Sequence, residues 1–257
     1  MNDLPSFDLG GRTALVTGAA RGLGRAIALA LAQSGADVAL GVRNEASASE
    51  LVADIRAMGR RALPIEMDVT DLPASYAAID KAAQHFGDLD ILVNNVGGGT
   101  QGPVENFTEA EFDDTIALNV KSSFFIAQHF ARKLIASGRG GSIVNMSSQA
   151  GFIALPGEAI YCLSKAAVAH MTKCMAVEWG KYGITVNAVA PTFITTDGTA
   201  GMLGDPEFKS DVIERIAALH RIGTPKEVSG AVAFLVSPAA SLITGQTLII
   251  DGGWTSR

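Results

Sequence analysis

The chain has 257 residues, a formal net charge of −6 and 28 glycines, well above the average of about 7% glycine in globular proteins. Apolar residues make up 48% and run throughout, which excludes a disordered chain; the glycines follow no three-residue period, which excludes a collagen. The acidic balance argues against nucleic acid or an anionic membrane surface as partner, yet leaves room for a phosphorylated small ligand, which needs only one or two local cations.

The length allows one large domain or two small ones, and such a chain buries enough surface to need no structural metal or disulfide. Residues 1–11 carry neither the basic nor the apolar segment of a secretory leader, and no 18-residue apolar run occurs. The expectation is a cytoplasmic enzyme with no membrane contact and no metal; His85, His129, His170 and His220 are scattered without ligand spacing.

Taken in chain order, short runs of Val, Ile and Leu alternate with helical periodicity. Strands are predicted over 13–16, 37–42, 62–67, 91–93, 142–146, 185–190 and 247–250. Helices are predicted over 24–34, 46–58, 73–85, 109–136, 159–182, 206–220 and 225–236, and capping boxes start two of them, at Thr108/Glu111 and Thr224/Glu227. The strands lack polar alternation, so both of their faces are buried, as in a parallel sheet. The alternation predicts a doubly wound, Rossmann-type α/β sandwich of about seven parallel strands, read as a single domain over 1–257. Such sheets bind ligands beyond the carboxyl ends of their strands.

After the first strand comes Thr17-Gly18-Ala19-Ala20-Arg21-Gly22-Leu23-Gly24. Glycines let backbone N–H groups approach a phosphate at a helix N-terminus, although a tight βα turn alone also needs them. Its G-x-x-x-G-x-G spacing differs from the commoner dinucleotide fingerprint. The second strand ends at Val42-Arg43, where an NAD-binding protein carries an acid. A carboxylate there would repel a 2′-phosphate, whereas Arg21 and Arg43 offer charge-assisted hydrogen bonds, which favours NADP(H) over NAD(H). Read alone, both could also be solvated surface residues.

Tyr161 and Lys165 stand one helical turn apart, and Ser148 ends the loop after the fifth strand. A phenol needs its pKa lowered by about three units to exchange protons near pH 7, which one nearby ammonium could supply. The pair alone is a weak signal.

Together these motifs resemble the short-chain dehydrogenase/reductase family. The likeness also rests on Asp68-Val69, Asn94-Asn95-Val96-Gly97, Asn119, Asn187 to Pro191 and Asp251-Gly252-Gly253, spread over almost the whole chain. The resemblance implies an oxidoreductase that moves a hydride between NADP(H) and a secondary alcohol or ketone. It makes Tyr161 the general acid/base, Lys165 its partner, Ser148 (rather than Ser147) the carbonyl-orienting group and Asn119 the holder of a water relayed to Lys165. Cofactor contacts would come from Gly18, Arg21, Gly22, Leu23, Gly24, Arg43, Asp68 (to the adenine), Val69, Asn95, Gly97, Tyr161, Lys165, Pro191, Ile194 and Thr196. Asn94 would shape the loop beneath the cofactor.

Two departures stand out: Val96 replaces the family's usual Ala, and Thr192 its usual Gly, which predicts either a change of loop course, because threonine avoids positive φ, or a hydroxyl offered to the substrate. The substrate is expected to meet Ser148, Gln149, Tyr161 and Phe193, with Gly98, Gly99, Phe152, Pro156 and a lid over 199–207. A 3-oxoacyl-carrier-protein reductase is the nearest alternative, although Ala176-Val177-Glu178 lacks the arginine those relatives carry there. A lyase or epimerase on this fold would need an added substrate domain, and a cofactor-sensing regulator without turnover would not need Tyr161 and Lys165. The surplus apolar surface of the long helices, with Phe124, Phe125, Met171 and Trp179, predicts a homotetramer. Cys162 and Cys174, twelve residues apart on one helix, cannot pair.

Overall fold

A computed structural model describes residues 4–256; Met1–Asp3, which belong to the stretch read for a leader, and Arg257 lie outside the described residues. Its seven strands are β1 (Thr13–Thr17), β2 (Asp37–Val42), β3 (Ala62–Glu66), β4 (Ile91–Asn94), β5 (Gly141–Met146), β6 (Ile184–Pro191) and β7 (Thr247–Ile250). They form one parallel sheet in the order β3-β2-β1-β4-β5-β6-β7. Every residue of β1, β4 and β5 is buried, which is why these strands read as unbroken apolar runs.

The helices are α1 (Gly22–Gln33), α2 (Ser49–Ala57), α3 (Leu72–Phe86), α4 (Glu109–Ile116), α5 (Ser122–Ala136), α6 (Ala159–Trp179), α7 (Ala200–Leu203), α8 (Pro206–Arg215) and α9 (Pro225–Leu235). One core lies between the sheet and α1, α2 and α9; the other lies between the opposite face and α3, α5 and α6. Both predicted capping boxes are present.

Strand order reverses between β1 and β4, so the loops leaving these two strands part and open a groove at the carboxyl edge. Three helix expectations need correction. The helix expected over 109–136 is interrupted by a π turn at Ala117–Lys121. The one expected to reach 220 ends at Arg215, because Ile216 turns out of the helix (ψ 75) to bury its side chain against Val212 and Trp254. Met171, expected on an outer surface, belongs to the core beneath α6, while Phe124 is exposed. No helix among the described residues is long and apolar enough to cross a membrane.

Candidate active site

Two glycines of the loop between β1 and α1 leave no room for a side chain. A Cβ on Gly24 would stand 2.2 Å from the carbonyl oxygen of Gly18, and one on Gly18 would stand 2.8 Å from Val96 Cγ2. Gly18 and Gly22 both have positive φ, 65 and 55. Asn95 closes the loop from β4: its Nδ2 donates to the Thr17 carbonyl at 2.9 Å, and its N–H donates to Thr17 Oγ1 at 2.9 Å. Arg21, the N-cap of α1, makes no side-chain cap bond, and no acid occupies the first turn, so the helix offers its free N–H groups and positive end to the groove.

This groove, about 840 Å³, is lined by Gly18, Arg21, Gly22, Leu23, Gly24, Arg43, Asp68, Val69, Asn95, Gly97 and Thr196. Val42 is buried, and the exposed Arg21 and Arg43 flank the groove beside Asn44 and Ser47. Among the described residues, neither guanidinium has a carboxylate within ion-pair distance; Glu45 is instead held by Lys81 and the Glu66 N–H. Asp68 Oδ1 accepts from the N–H and hydroxyl of Thr70, which holds its carboxyl below the usual range, with Arg43 adding to the effect. A turn closed to side chains at Gly18 and Gly24, unspent helix N–H groups and two arginines with no ion-pair partner among the described residues fit the phosphates of a dinucleotide.

A second cleft, about 380 Å³, shares Leu23, Asn95, Gly97, Thr196 and Gly198 with the groove, so the two are continuous. It gathers Ser148, Gln149, Tyr161, Lys165, Pro191, Phe193 and Ile194 from the ends of β5 and β6 and from α6. Lys165 is 2% exposed; its Nζ donates to the Met146 carbonyl at 2.9 Å and stands 5.5 Å from the centre of the Tyr161 ring. A Cβ on Gly97 would come within 2.7 Å of that Nζ, so glycine is required for the ammonium to sit there. Ser147 spends its hydroxyl on the Lys165 carbonyl at 2.9 Å, whereas Ser148 accepts from Ala150 N–H at 3.2 Å and has its hydroxyl in hydrogen-bond contact with the Tyr161 phenol.

Burial pulls Lys165 down to about 8. Burial also pushes Tyr161 up to about 12, against the pull of Ser148 and helped by the negative charge of Glu158. The expected lowering of the phenol by the ammonium is therefore corrected: desolvation governs both groups.

Asn119 does not line the cleft. It is buried in the π turn, with Nδ2 donating to the Gly98 carbonyl at 2.7 Å and to Ser164 Oγ at 2.8 Å, and Oδ1 accepting from Gly98 N–H at 2.9 Å. Asn94 is structural: its Nδ2 donates to Asn145 Oδ1 at 3.0 Å and to the Ser123 carbonyl at 3.2 Å. Thr192 keeps negative φ, so the loop needs no glycine there; its hydroxyl is buried without a partner at the cleft wall. Phe152, expected in the pocket, is exposed and lies outside it. Gly98, Gly99, Thr199 and Met202 line the cleft, and Pro156 lines its outer extension. The expected lid is α7 and the start of α8, which Asp205 caps through Glu207 N–H at 2.9 Å.

Sequence reasoning missed Glu158, Gln101 and Leu155, all in the cleft wall. Glu158 was within reach of the spacing argument, since it precedes Tyr161 by three residues and so shares its helix face.

Residues 18–255 match a family model described as enoyl-(acyl carrier protein) reductase. The chain is 38% identical to the 2-dehydro-3-deoxy-D-gluconate 5-dehydrogenase of Dickeya dadantii, over 99% of both chains. It is 40% identical to the NAD-dependent glycerol dehydrogenase of Listeria innocua, over 98% of this chain and 96% of that one. A solved gluconate 5-dehydrogenase from Burkholderia cenocepacia, in complex with NADP and tartrate, superposes with a TM-score of 0.93 at 36% identity, over 98% of both chains.

Proposed function

The chain belongs to the short-chain dehydrogenase/reductase family, and on that premise we propose how its site works. It is an NAD(P)-dependent oxidoreductase acting on a secondary alcohol or its ketone. A bound nicotinamide supplies or accepts the hydride. The Tyr161 phenol, kept protonated by burial, donates its proton to the carbonyl oxygen in reduction and recovers it in oxidation. Ser148, beside the phenol, donates its hydroxyl proton to the same oxygen and orients it. Lys165 places positive charge beside the phenol, and Asn119 positions both through its hold on Gly98, next to the Gly97 on which Nζ rests.

The observation that carries this reading is the convergence of Ser148, Tyr161 and Lys165 in a cleft continuous with a glycine-lined groove. It is tested by Tyr161→Phe, followed by absorbance at 340 nm and by NADPH fluorescence. Turnover should fall at least a thousandfold with cofactor affinity changed less than about threefold, consistent with loss of a general acid; retained turnover overturns the assignment.

Four finer readings belong to the same proposal. NADP(H) is preferred, supported by Arg21 and Arg43 without an opposing acid. The substrate is polyhydroxylated, a polyol, sugar or sugar acid, supported by the relatives' names. The whole chain works as one unit with its substrate site in the carboxyl-edge loops, and four copies assemble through the exposed apolar surfaces of α4, α5 and α6. The compartment is the cytoplasm, which suits two unpaired thiols. An acyl-carrier substrate is disfavoured, because Val177 offers exposed apolar surface where a basic dock would stand.

A further inference from the structure

The substrate cleft has an electrostatic bias that the catalytic groups do not explain. Glu158 is the N-cap residue of α6, yet its side chain makes no cap bond, so the carboxylate is not committed to the helix. It lies half-buried in the cleft wall beside Tyr161 and close enough to add to the phenol's raised pKa. Its hydrogen-bond partner is the neutral amide Nε2 of Gln101, which also stands 3.3 Å from Met202 Sδ on α7. Among the described residues no lysine or arginine pairs with it.

Among the described residues Lys165 is the one cation lining the cleft; its Nζ is buried beside the Tyr161 ring and spends one of its three N–H groups on the Met146 carbonyl. Across the outer extension of the cleft, Arg215 is neutralised by Asp211 at 2.7 Å. Among the described residues the wall therefore offers a substrate carboxylate no unpaired guanidinium and, Lys165 apart, only neutral donors, while one fixed negative charge opposes it.

The other polar groups of the wall are neutral. Gln149, 1% exposed, keeps its Oε1 buried without a partner in the same wall. The Thr192 hydroxyl is likewise buried and unpartnered. Both atoms lie behind the cleft surface, so the acceptor that faces a ligand there is the Glu158 carboxylate. Burial holds Glu158 above the usual carboxylate range with only Gln101 to relieve it, which adds to the demand for donors.

We propose that Glu158 determines substrate specificity, taking hydrogen bonds from the hydroxyls of a neutral polyol and turning away chains that end in a carboxylate. This inference rests on the dehydrogenase reading above and chooses, within its polyhydroxylated class, the neutral members over the sugar acids.

The experiment compares wild type, Glu158→Gln and Glu158→Ala in steady-state oxidation, with NADP and with NAD, of matched pairs: sorbitol against gluconate, and xylitol against xylonate. NADPH fluorescence titration of each variant reports whether the cofactor groove is intact. The wild type should favour each polyol over its acid by tenfold or more in kcat/KM, because like charges a few ångströms apart in a half-enclosed cleft repel strongly. Both variants should bind NADPH normally and narrow that ratio at least tenfold, mainly through KM for the acid.

A wild type that prefers the acids overturns the inference, as does an unchanged ratio in both variants. An aminopolyol preferred over its polyol, with that preference lost in Glu158→Gln, overturns the choice of a neutral substrate. If neither polyols nor acids react but a simple ketone such as cyclohexanone is reduced, this inference fails and the dehydrogenase reading stands. If nothing is turned over, both fail.

Discussion

Lys165 carries its ammonium to the floor of the cleft, where it is 2% exposed, and among the described residues its hydrogen-bond acceptor there is a neutral carbonyl. Burial lowers its pKa from 10.5 to about 8, so between those pH values the unfolded chain holds a proton that the folded chain has released. Stability attributable to this residue is therefore least below pH 8 and rises as pH climbs toward 10.5. Lys165→Met should be the more stable protein at pH 7, by up to about 3 kcal/mol, with the gap closing by pH 10.5. Urea midpoints of both proteins across that range check it; a gap independent of pH would count against it. Tyr161 has the opposite slope, its phenol pushed above 10 and so stabilising less as pH rises from 10 to 12. At the far end of the groove, Arg43 is exposed and without a carboxylate partner. Arg43→Ala should weaken NADPH by tenfold or more while changing NADH less than twofold, as expected when a charge-assisted contact to a 2′-phosphate is lost. Equal losses for the two cofactors, read by fluorescence titration, would refute the preference.

Two elements carry most of the site's geometry. The β1–α1 loop is built on contacts that only a hydrogen atom allows, and the nearest obstacle to a side chain at Gly24 is backbone. Gly24→Ala should therefore shift the loop, reduce NADPH affinity at least tenfold and cost about 1–3 kcal/mol of stability; calorimetric binding equal to wild type would contradict this. The π turn at Ala117–Lys121 is the second element, and it places Asn119 inside the helix where it can grip both backbone groups of Gly98. The glycine loop was legible because its spacing is local. The π turn was not, since one extra residue in a helical turn leaves the 3.6-residue periodicity of its flanks unchanged. The end of α8 was hidden for a similar reason: Ile216 continues an apolar pattern but satisfies it by turning into a core shared with Trp254, far away in sequence.

Seven parallel strands put every loop used by the site on one edge of the sheet, and the reversal between β1 and β4 separates the cofactor groove from neighbouring crossovers. On the flank, Val104, Phe112 and Leu163 expose large apolar side chains around one depression, and Phe124 lies over another beside Trp179. Surfaces like these mark contacts between molecules. Sedimentation velocity should show a tetramer for wild type and a smaller species for Leu163→Glu, with its secondary structure retained by circular dichroism. A monomeric wild type would remove the assembly from the proposal.

The amino-acid order by itself determined the seven strands to within a residue or two, the glycine turn, the absent acid at Val42 and the Tyr161–Lys165 pair, because each depends on short-range spacing and on which residues two buried faces tolerate. Only the tertiary structure decided what those groups experience. It set burial, rather than the neighbouring ammonium, as the force on Tyr161, turned Ser147 to the Lys165 carbonyl and Ser148 to the phenol, and took Phe152 out of the cleft while bringing Glu158 in. Desolvation, hydrogen-bond competition and the closeness of chain segments distant in sequence are properties of the packed molecule, and no local pattern encodes them.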